Sequence, residues 1–249
     1  MTDEPPGPIG GVIELRQYTL RPGTRDAFVA LFDAELAEPL EAAGMRVLGQ
    51  FRDLDRPDMF VWLRGFADME ARRRALHGFY DGPVWAAHRH AANGMMLDSD
   101  DVLLLEPAGT GSFPDAGTGP FPYAGAGAHP PGAAPAGGVV TVRIDPVGLA
   151  DTARFARRYA SVVAPAVRAA GGRPLALLAS LHAANTFPRL PVREHENVMV
   201  SLARFASIAA VGRAAADRAC RDALASLDDL RTGPEQRLRL AATSRSALR

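Results

Sequence analysis

The chain repeats itself. Phe28 to Gly44 reads FVALFDAELAEPLEAAG, and Phe155 to Gly171 reads FARRYASVVAPAVRAAG. The two segments lie 127 positions apart (155 − 28). At that offset Phe28 matches Phe155, Phe32 matches Tyr159, Leu36 matches Val163, Leu40 matches Val167 and Arg46 matches Arg173. LRGFAD at 63–68 then matches LARFAS at 202–207 at an offset of 139 (202 − 63). A repeat of this length requires both halves to form the same unit. The 12-residue difference between the offsets places an insertion between the second and third strands of the second half. Residues 107–138, rich in Gly, Pro and Ala and without periodicity, read as a linker. The division is a flexible N-terminus at 1–11, a first repeat at 12–106, the linker, a second repeat at 139–242 and a C-terminal tail at 243–249.

Each half reads as β-α-β-β-α-β, the ferredoxin-like unit. VIELRQYTL at 12–20 is a strand, Pro22-Gly23 a turn and Thr24 a helix N-cap. The helix that follows places Phe28, Leu31, Phe32, Leu36 and Leu40 on one face, with Pro39 as a kink or last turn and Gly44 as its end. Strands are expected at 45–52, 58–66 and 101–106, with a helical region at 68–94 broken at Gly78 and at Gly82-Pro83. The strand at 58–66 decides the architecture. Met59, Val61 and Leu63 take one face, while Phe60, Trp62, Arg64 and Phe66 take the other, and both are largely apolar. A strand apolar on both faces needs cover on both. Helices cover one side and the other half's sheet covers the second. The fold class is therefore α+β: two ferredoxin-like repeats whose antiparallel sheets pack into a two-sheet barrel within one chain. Glu14, Arg16 and Tyr18 share one face of the first strand. They are expected to look into the barrel beside Trp62, Arg64 and Gln50, with Ile13 and Leu15 toward the helices.

Charge narrows the function. The 28 cationic side chains, all arginine, balance 28 acidic ones, with pI near 7.0. A general nucleic-acid or anionic-membrane binder would be basic. Cys220 is the single cysteine, so neither an intrachain disulfide nor a cysteine zinc site forms. The N-terminal MTDEPPGPIGG lacks the pattern of a signal peptide, and no apolar run reaches membrane-spanning length; a soluble, cytoplasmic protein is expected. The GTG and GAG triplets lie in the linker and are not nucleotide fingerprints.

VIELRQYTLRPG, PVWAAHRHAANGMMLDSDDVLLLEP and NTFPRLPVREHENVMVSLARF resemble the NIPSNAP family. The resemblance implies the dimeric α+β barrel, here in tandem. That superfamily includes cofactor-free quinone-forming monooxygenases, haem-degrading monooxygenases and chlorite-dismutase-like haem proteins. NIPSNAP proteins carry no single established chemistry, so the resemblance speaks to fold more than function. The chain departs from the family pattern in its third strand, where many relatives have His at the position of Trp62 and Trp at that of Arg64.

The expected site is a pocket in the barrel that binds a small polar aromatic or polyketide-like molecule. Glu14 and Tyr18 serve acid/base roles. Arg16 and Arg64 bind an oxyanion or carboxylate, Trp62 stacks, and Gln50 lies nearby. In the insertion, Asn185, Arg189, Arg193 and Glu194 are candidates for a lid over the barrel mouth. The opposing structural reading is a Glu–Arg pair that knits the barrel, and a salt-bridged insertion packed on the first half's edge. The expected chemistry is a cofactor-independent oxygenase or an isomerase/cyclase of secondary metabolism. One alternative is a haem-binding barrel with His88 or His182 as axial ligand. Another is a non-catalytic scaffold or regulatory module. His182, His195 and Glu196 match no metal-ligand spacing. The expected partner is a small-molecule ligand, with no nucleic acid or membrane, in a monomer or homodimer.

Overall fold

The computed structural model describes residues 11–108 and 137–248. The linker and the N-terminal segment read from the sequence lie almost wholly outside the described residues. The first repeat runs β1 (Val12–Leu20), α1 (Arg25–Leu31), a π-helical turn (Phe32–Leu36), α2 (Ala37–Ala42), β2 (Arg46–Asp53), β3 (Met59–Phe66), α3 (Met69–Tyr80), α4 (Pro83–Met95) and β4 (Met96–Pro107). The second runs β5 (Val139–Pro146), α5 (Thr152–Arg158), a π-helical turn (Tyr159–Val163), α6 (Ala164–Ala169), β6 (Arg173–Ser180), β7 (Val198–Phe205), α7 (Ile208–Ala216), α8 (Arg218–Ala225) and β8 (Gln236–Ala242). The π turns fall at equivalent positions, and each places an aromatic residue, Phe32 or Tyr159, in the core. Gly44 and Gly171 end the equivalent helices at φ +96° and +85°, a conformation glycine adopts without a side-chain clash. Gly78 lies within α3; the helical break comes at Asp81 and Gly82, where Pro83 starts α4.

Eight antiparallel strands close into one barrel in the order β1-β3-β2-β8-β5-β7-β6-β4. Each repeat supplies four, and all eight residues of β3 are buried, as the two apolar faces require. The barrel interior is a single apolar, mostly aliphatic cluster drawn from both repeats, including Ile13, Leu15, Val61, Leu63, Val142, Val200, Leu202 and Leu238. A second cluster lies between the first sheet and its helices and contains Tyr18, Phe28, Phe32, Phe60, Trp62 and Phe66.

The two faces of β1 are thus the reverse of the sequence expectation. Ile13 and Leu15 point into the barrel, and Tyr18 and Trp62 point at the helices. Alternation assigns residues to faces but does not say which face meets which layer. Compact aliphatic side chains from eight strands fill the interior, so the long arginine, tyrosine and tryptophan side chains extend into the helical layer.

The two seams between repeats are short. β2 pairs with β8 only from Phe51 to Asp53, and β4 with β6 only from Leu105 to Pro107. Irregular segments complete both. The Leu181 and Arg193 amides donate to the Leu104 and Val102 carbonyls. At the other seam, the Thr243 and Leu248 amides donate to the Gln50 and Leu48 carbonyls, and the Gln50 amide donates to Ser246 Oγ. The segment 243–248, read from sequence as a tail, is part of the wall: Leu248 belongs to the barrel core and Ser246 is fully buried. Leu248→Ala is expected to cost about 2–5 kcal/mol, the range for a buried leucine that leaves a cavity. Urea unfolding measures it, and a loss below about 0.5 kcal/mol, the level of a surface substitution, contradicts a structural role for the segment.

Candidate functional site

The helix-facing side of the first sheet holds a cluster of charge. Glu14 and Arg16 stand two apart on β1, Arg64 lies opposite Glu14 on β3, and Arg72 projects from α3. All four side chains are fully buried. Glu14 Oε2 accepts from Arg16 Nη1 at 2.6 Å and from Arg64 Nε at 2.8 Å, while Oε1 accepts from Arg72 Nε at 2.6 Å. Arg16 Nε donates to the Tyr18 hydroxyl at 2.9 Å, and Arg64 Nη1 donates to the Tyr80 hydroxyl at 3.3 Å. The Arg16 and Arg64 guanidiniums lie 5.9 and 5.1 Å from the Trp62 ring, within cation–π range.

The insertion completes this cluster from the other repeat. Arg72 Nη1 donates to Asn185 Oδ1 and Thr186 Oγ1, both at 3.1 Å. Asn185 is fixed in turn, accepting from the Phe187 amide and donating to the Leu190 carbonyl. Phe187 packs against His77 and Tyr80, and Arg189 pairs with Asp81 while stacking over Phe187. Residues 185–190 of the insertion therefore pack on the first repeat's helical layer, while Arg193 joins the barrel seam through its amide bond to the Val102 carbonyl.

One carboxylate faces three guanidiniums. Burial alone would raise the Glu14 pKa, but Arg64, Arg16 and Arg72 outweigh it and hold the carboxyl well below the usual carboxylate range. Both its oxygens are engaged, so Glu14 acts as a fixed counter-ion. Burial pushes the Tyr18 phenol up despite the neighbouring Arg16, keeping it protonated. Arginine does not give up its proton in proteins, so two positive charges remain uncompensated among these contacts. Several donors lack acceptors as well. Trp62 Nε1 and Arg72 Nη2 are buried without a hydrogen bond, and Arg64 Nη2, 2.8 Å from Glu14 Oε2, is out of line for one. Beside the cluster is a cleft of about 390 Å³ whose lining includes Tyr80, Trp85, Ser99, Phe187, Arg189 and Asp98. Two of these touch the cluster: Tyr80 through Arg64, and the Ser99 carbonyl, which accepts from Arg16 Nη2 at 3.4 Å.

Of the residues expected from sequence, Glu14, Arg16, Tyr18, Trp62, Arg64 and Asn185 come together here, outside the barrel interior, and Arg189 lines the adjoining cleft. Gln50 is buried near the C-terminal segment, its side chain 3.4 Å from Thr243 Oγ1. Arg193 and Glu194 are elsewhere, lining a different cleft of about 320 Å³. Arg193 pairs there with Asp101 and Glu196. Among the haem-ligand candidates, His88 lies 3.5 Å from Glu35, and His182 Nε2 lies 2.9 Å from Asn197 Oδ1. Neither touches the cluster. Among the described residues no group of three or more His, Cys, Asp or Glu side chains is placed to hold a metal, and no helix is long and apolar enough to cross a membrane.

Sequence reading missed Arg72, Tyr80 and Thr186. Arg72 had a signal: with Ala75, Leu76 and Phe79 it forms the i, i+3, i+4, i+7 buried stripe of α3. An arginine in an apolar stripe requires a buried partner.

The fold and this layered arrangement define a tandem dimeric α+β barrel. Residues 13–110 match the NIPSNAP family model, so the first repeat is a NIPSNAP domain, as the sequence resemblance implied. No curated protein matches the chain. Solved structures do share the two-repeat fold. The candidate monooxygenase of Lactobacillus acidophilus NCFM aligns at TM-score 0.57 and 11% identity, covering 94% of each chain. The candidate monooxygenase of Fusobacterium nucleatum aligns at 0.60 and 8%, covering 94% of this chain and 92% of that one. An anthrone oxidase-like protein aligns at 0.60 and 14%, covering 96% and 94%.

Proposed function

We propose that the protein binds a small acidic aromatic compound, a phenolate or aromatic carboxylate, in the cleft beside the Glu14 cluster. We further propose that it acts as a monooxygenase-like enzyme without a bound organic cofactor. The observation that carries this reading is the excess of three buried guanidiniums over one carboxylate. A buried charge without a partner costs several kcal/mol, and an entering anion offsets that cost. The anion displaces the Tyr80 hydroxyl from Arg64 and reaches Arg16 past Ser99, while Trp85 and Phe187 flank its ring. Holding a phenol as its phenolate makes the ring electron-rich and reactive toward dioxygen. The reaction class that fits is oxidation of an activated ring methylene to a carbonyl, with one oxygen atom retained and the other leaving as water. Neighbours named as monooxygenases and as anthrone oxidase-like support this class by fold alone.

The test is thermal melting with a panel of naphthols and aromatic carboxylates, followed by oxygen-uptake assays on compounds that bind. Wild type is expected to melt higher with an anionic aromatic ligand. Arg64→Leu reduces the charge excess from two to one, so its stability is expected to equal or exceed wild type while the ligand shift is lost. If no compound shifts the melt and Arg64→Leu falls sharply, the arginines are structural and the scaffold reading replaces this one.

A further inference from the structure

The two ends of the barrel are unlike in charge. At one end, strand alternation puts Gln17, Asp53, Asp101 and Gln236 on the interior side, in line with Leu15, Phe51, Leu103 and Leu238. Charges there are matched. Gln17 donates to Asp101 at 3.1 Å and accepts from Gln236 at 3.0 Å. Arg56 pairs with Asp53, and Arg193 pairs with Asp101 and Glu196.

The opposite end, where β2 and β6 begin and β3 and β7 finish, is positive. Arg204 follows Val200 and Leu202 on the interior side of β7, and Arg173 stands directly across from it on β6. Arg46 begins β2 at the same end, across from Gly65. Among the described residues no carboxylate lies within ion-pair distance of Arg46, Arg173 or Arg204. Arg204, half-buried, is held by a neutral group instead: Nη2 donates to the Gly137 carbonyl at 3.0 Å. Gly138 makes room for that guanidinium, since a Cβ there would stand 3.3 Å from Nη2. Arg173 is exposed.

The repeat shows that the pair is an addition. The offset of 127 aligns Arg46 with Arg173, and the offset of 139 aligns Gly65 with Arg204. The first repeat sets arginine against glycine; the second sets arginine against arginine. Residues directly opposite on neighbouring strands stand about 4.5–5.5 Å apart at Cβ, and like charges there destabilise a sheet. Arginine cannot relieve the repulsion by losing a proton. An anion between the two turns one repulsion into two attractions. Guanidinium forks match the oxygens of phosphate and bind them through charge-assisted hydrogen bonds.

We infer that this end of the barrel binds a phosphate group, free or as a small ester, bridged between Arg173 and Arg204. Arg204 supplies the fixed cation, and Arg173 closes on the anion from the solvent side. The packed apolar interior confines the ligand to the barrel end. None of the residues proposed to bind acidic aromatics takes part, so the two readings stand or fall separately.

The full chain is titrated calorimetrically with inorganic phosphate and with methyl phosphate at about pH 8, where the dianion dominates. Sodium chloride holds the ionic strength constant, because screening alone weakens exposed charge pairs. Saturable one-to-one binding is expected for both, and the tighter of the two identifies free phosphate or an ester as the ligand class. Arg173→Gln and Arg204→Gln are each expected to weaken phosphate at least tenfold with circular dichroism unchanged. Arg64→Leu is expected to leave it within twofold, which separates this site from the Glu14 cluster. Arg157→Gln, which removes an exposed arginine of α5, is expected to do the same. Melting at low salt gives a second readout. Without phosphate, Arg173→Gln is expected to melt no lower than wild type, because it removes the repulsion; with phosphate, wild type is expected to melt above it. No saturable binding, unchanged affinity in both Arg173→Gln and Arg204→Gln, or an equal loss in Arg157→Gln each overturns the assignment.

Discussion

Glu14→Gln is expected to yield a chain with no stable fold at neutral pH. The substitution keeps size and shape but removes the one anion that, among the described residues, contacts three fully buried guanidiniums. Removing one partner of a buried pair costs about 3–5 kcal/mol because the survivor remains charged and unpaired. Here one carboxylate serves three survivors, none of which can neutralise by losing a proton. The loss belongs at or above the top of that range, against a typical total stability of about 5–15 kcal/mol. Soluble yield, circular dichroism and the urea midpoint measure it. Replacing Arg64 and Arg72 with leucine in the same chain is expected to restore much of the loss, because the introduced amide then faces one cation instead of three. A Glu14→Gln protein within about 1 kcal/mol of wild type, the worth of an exposed ion pair, refutes the electrostatic account. The same carboxylate sets a pH dependence. Its folded pKa is depressed below the ordinary 4.5, so its contribution is complete above that value and is progressively lost as pH falls below it. Acid unfolding of wild type should begin on that side, and a variant with apolar replacements of Glu14 and all three arginines should lack this component.

The architecture was legible in the sequence because it is over-determined. The repeat demands two like units, helix periodicity and terminal glycines mark α1 to α2 and α5 to α6, and the doubly apolar β3 demands a second sheet. The site was legible only in part. Glu14, Arg16, Tyr18, Trp62 and Arg64 could be grouped because strand alternation is local. Their direction could not, since two apolar layers flank the sheet and a strand's pattern is the same read from either side. Arg72 and Tyr80 reach the cluster through the packing of α3 on β3, and Thr186 through the β6–β7 loop of the other repeat; local periodicity specifies neither contact. The role of 243–248 was hidden for a related reason. TSRSAL carries no strand alternation, and its backbone bonds to β2 exist only once the barrel has closed.

The first repeat expressed alone, residues 11–108, is expected not to persist as a stable monomer. Its sheet would present Ile13, Leu15, Leu48, Phe51, Val61, Leu63, Leu103 and Leu105 to water, a contiguous apolar face that the second repeat covers in the intact chain. Soluble monomers rarely expose apolar patches beyond a few hundred Å². β2 and β4 would also become open edges, each losing its partner across a seam. Arg72 would lose both Asn185 and Thr186, adding unsatisfied donors to a cluster already rich in positive charge. Two outcomes answer these deficits together. The fragment aggregates, or two copies pair sheet to sheet about a two-fold axis and rebuild an eight-stranded barrel from identical halves, an isologous contact. Light scattering after size-exclusion chromatography distinguishes them, and mixing with residues 137–248 should divert either species into a one-to-one complex. Only the heterologous pairing brings the insertion to Arg72, so that complex should melt well above any homodimer. A monomeric fragment with the melting temperature of the whole protein would show that the barrel interior is dispensable to the repeat, and the two halves would then be independent domains.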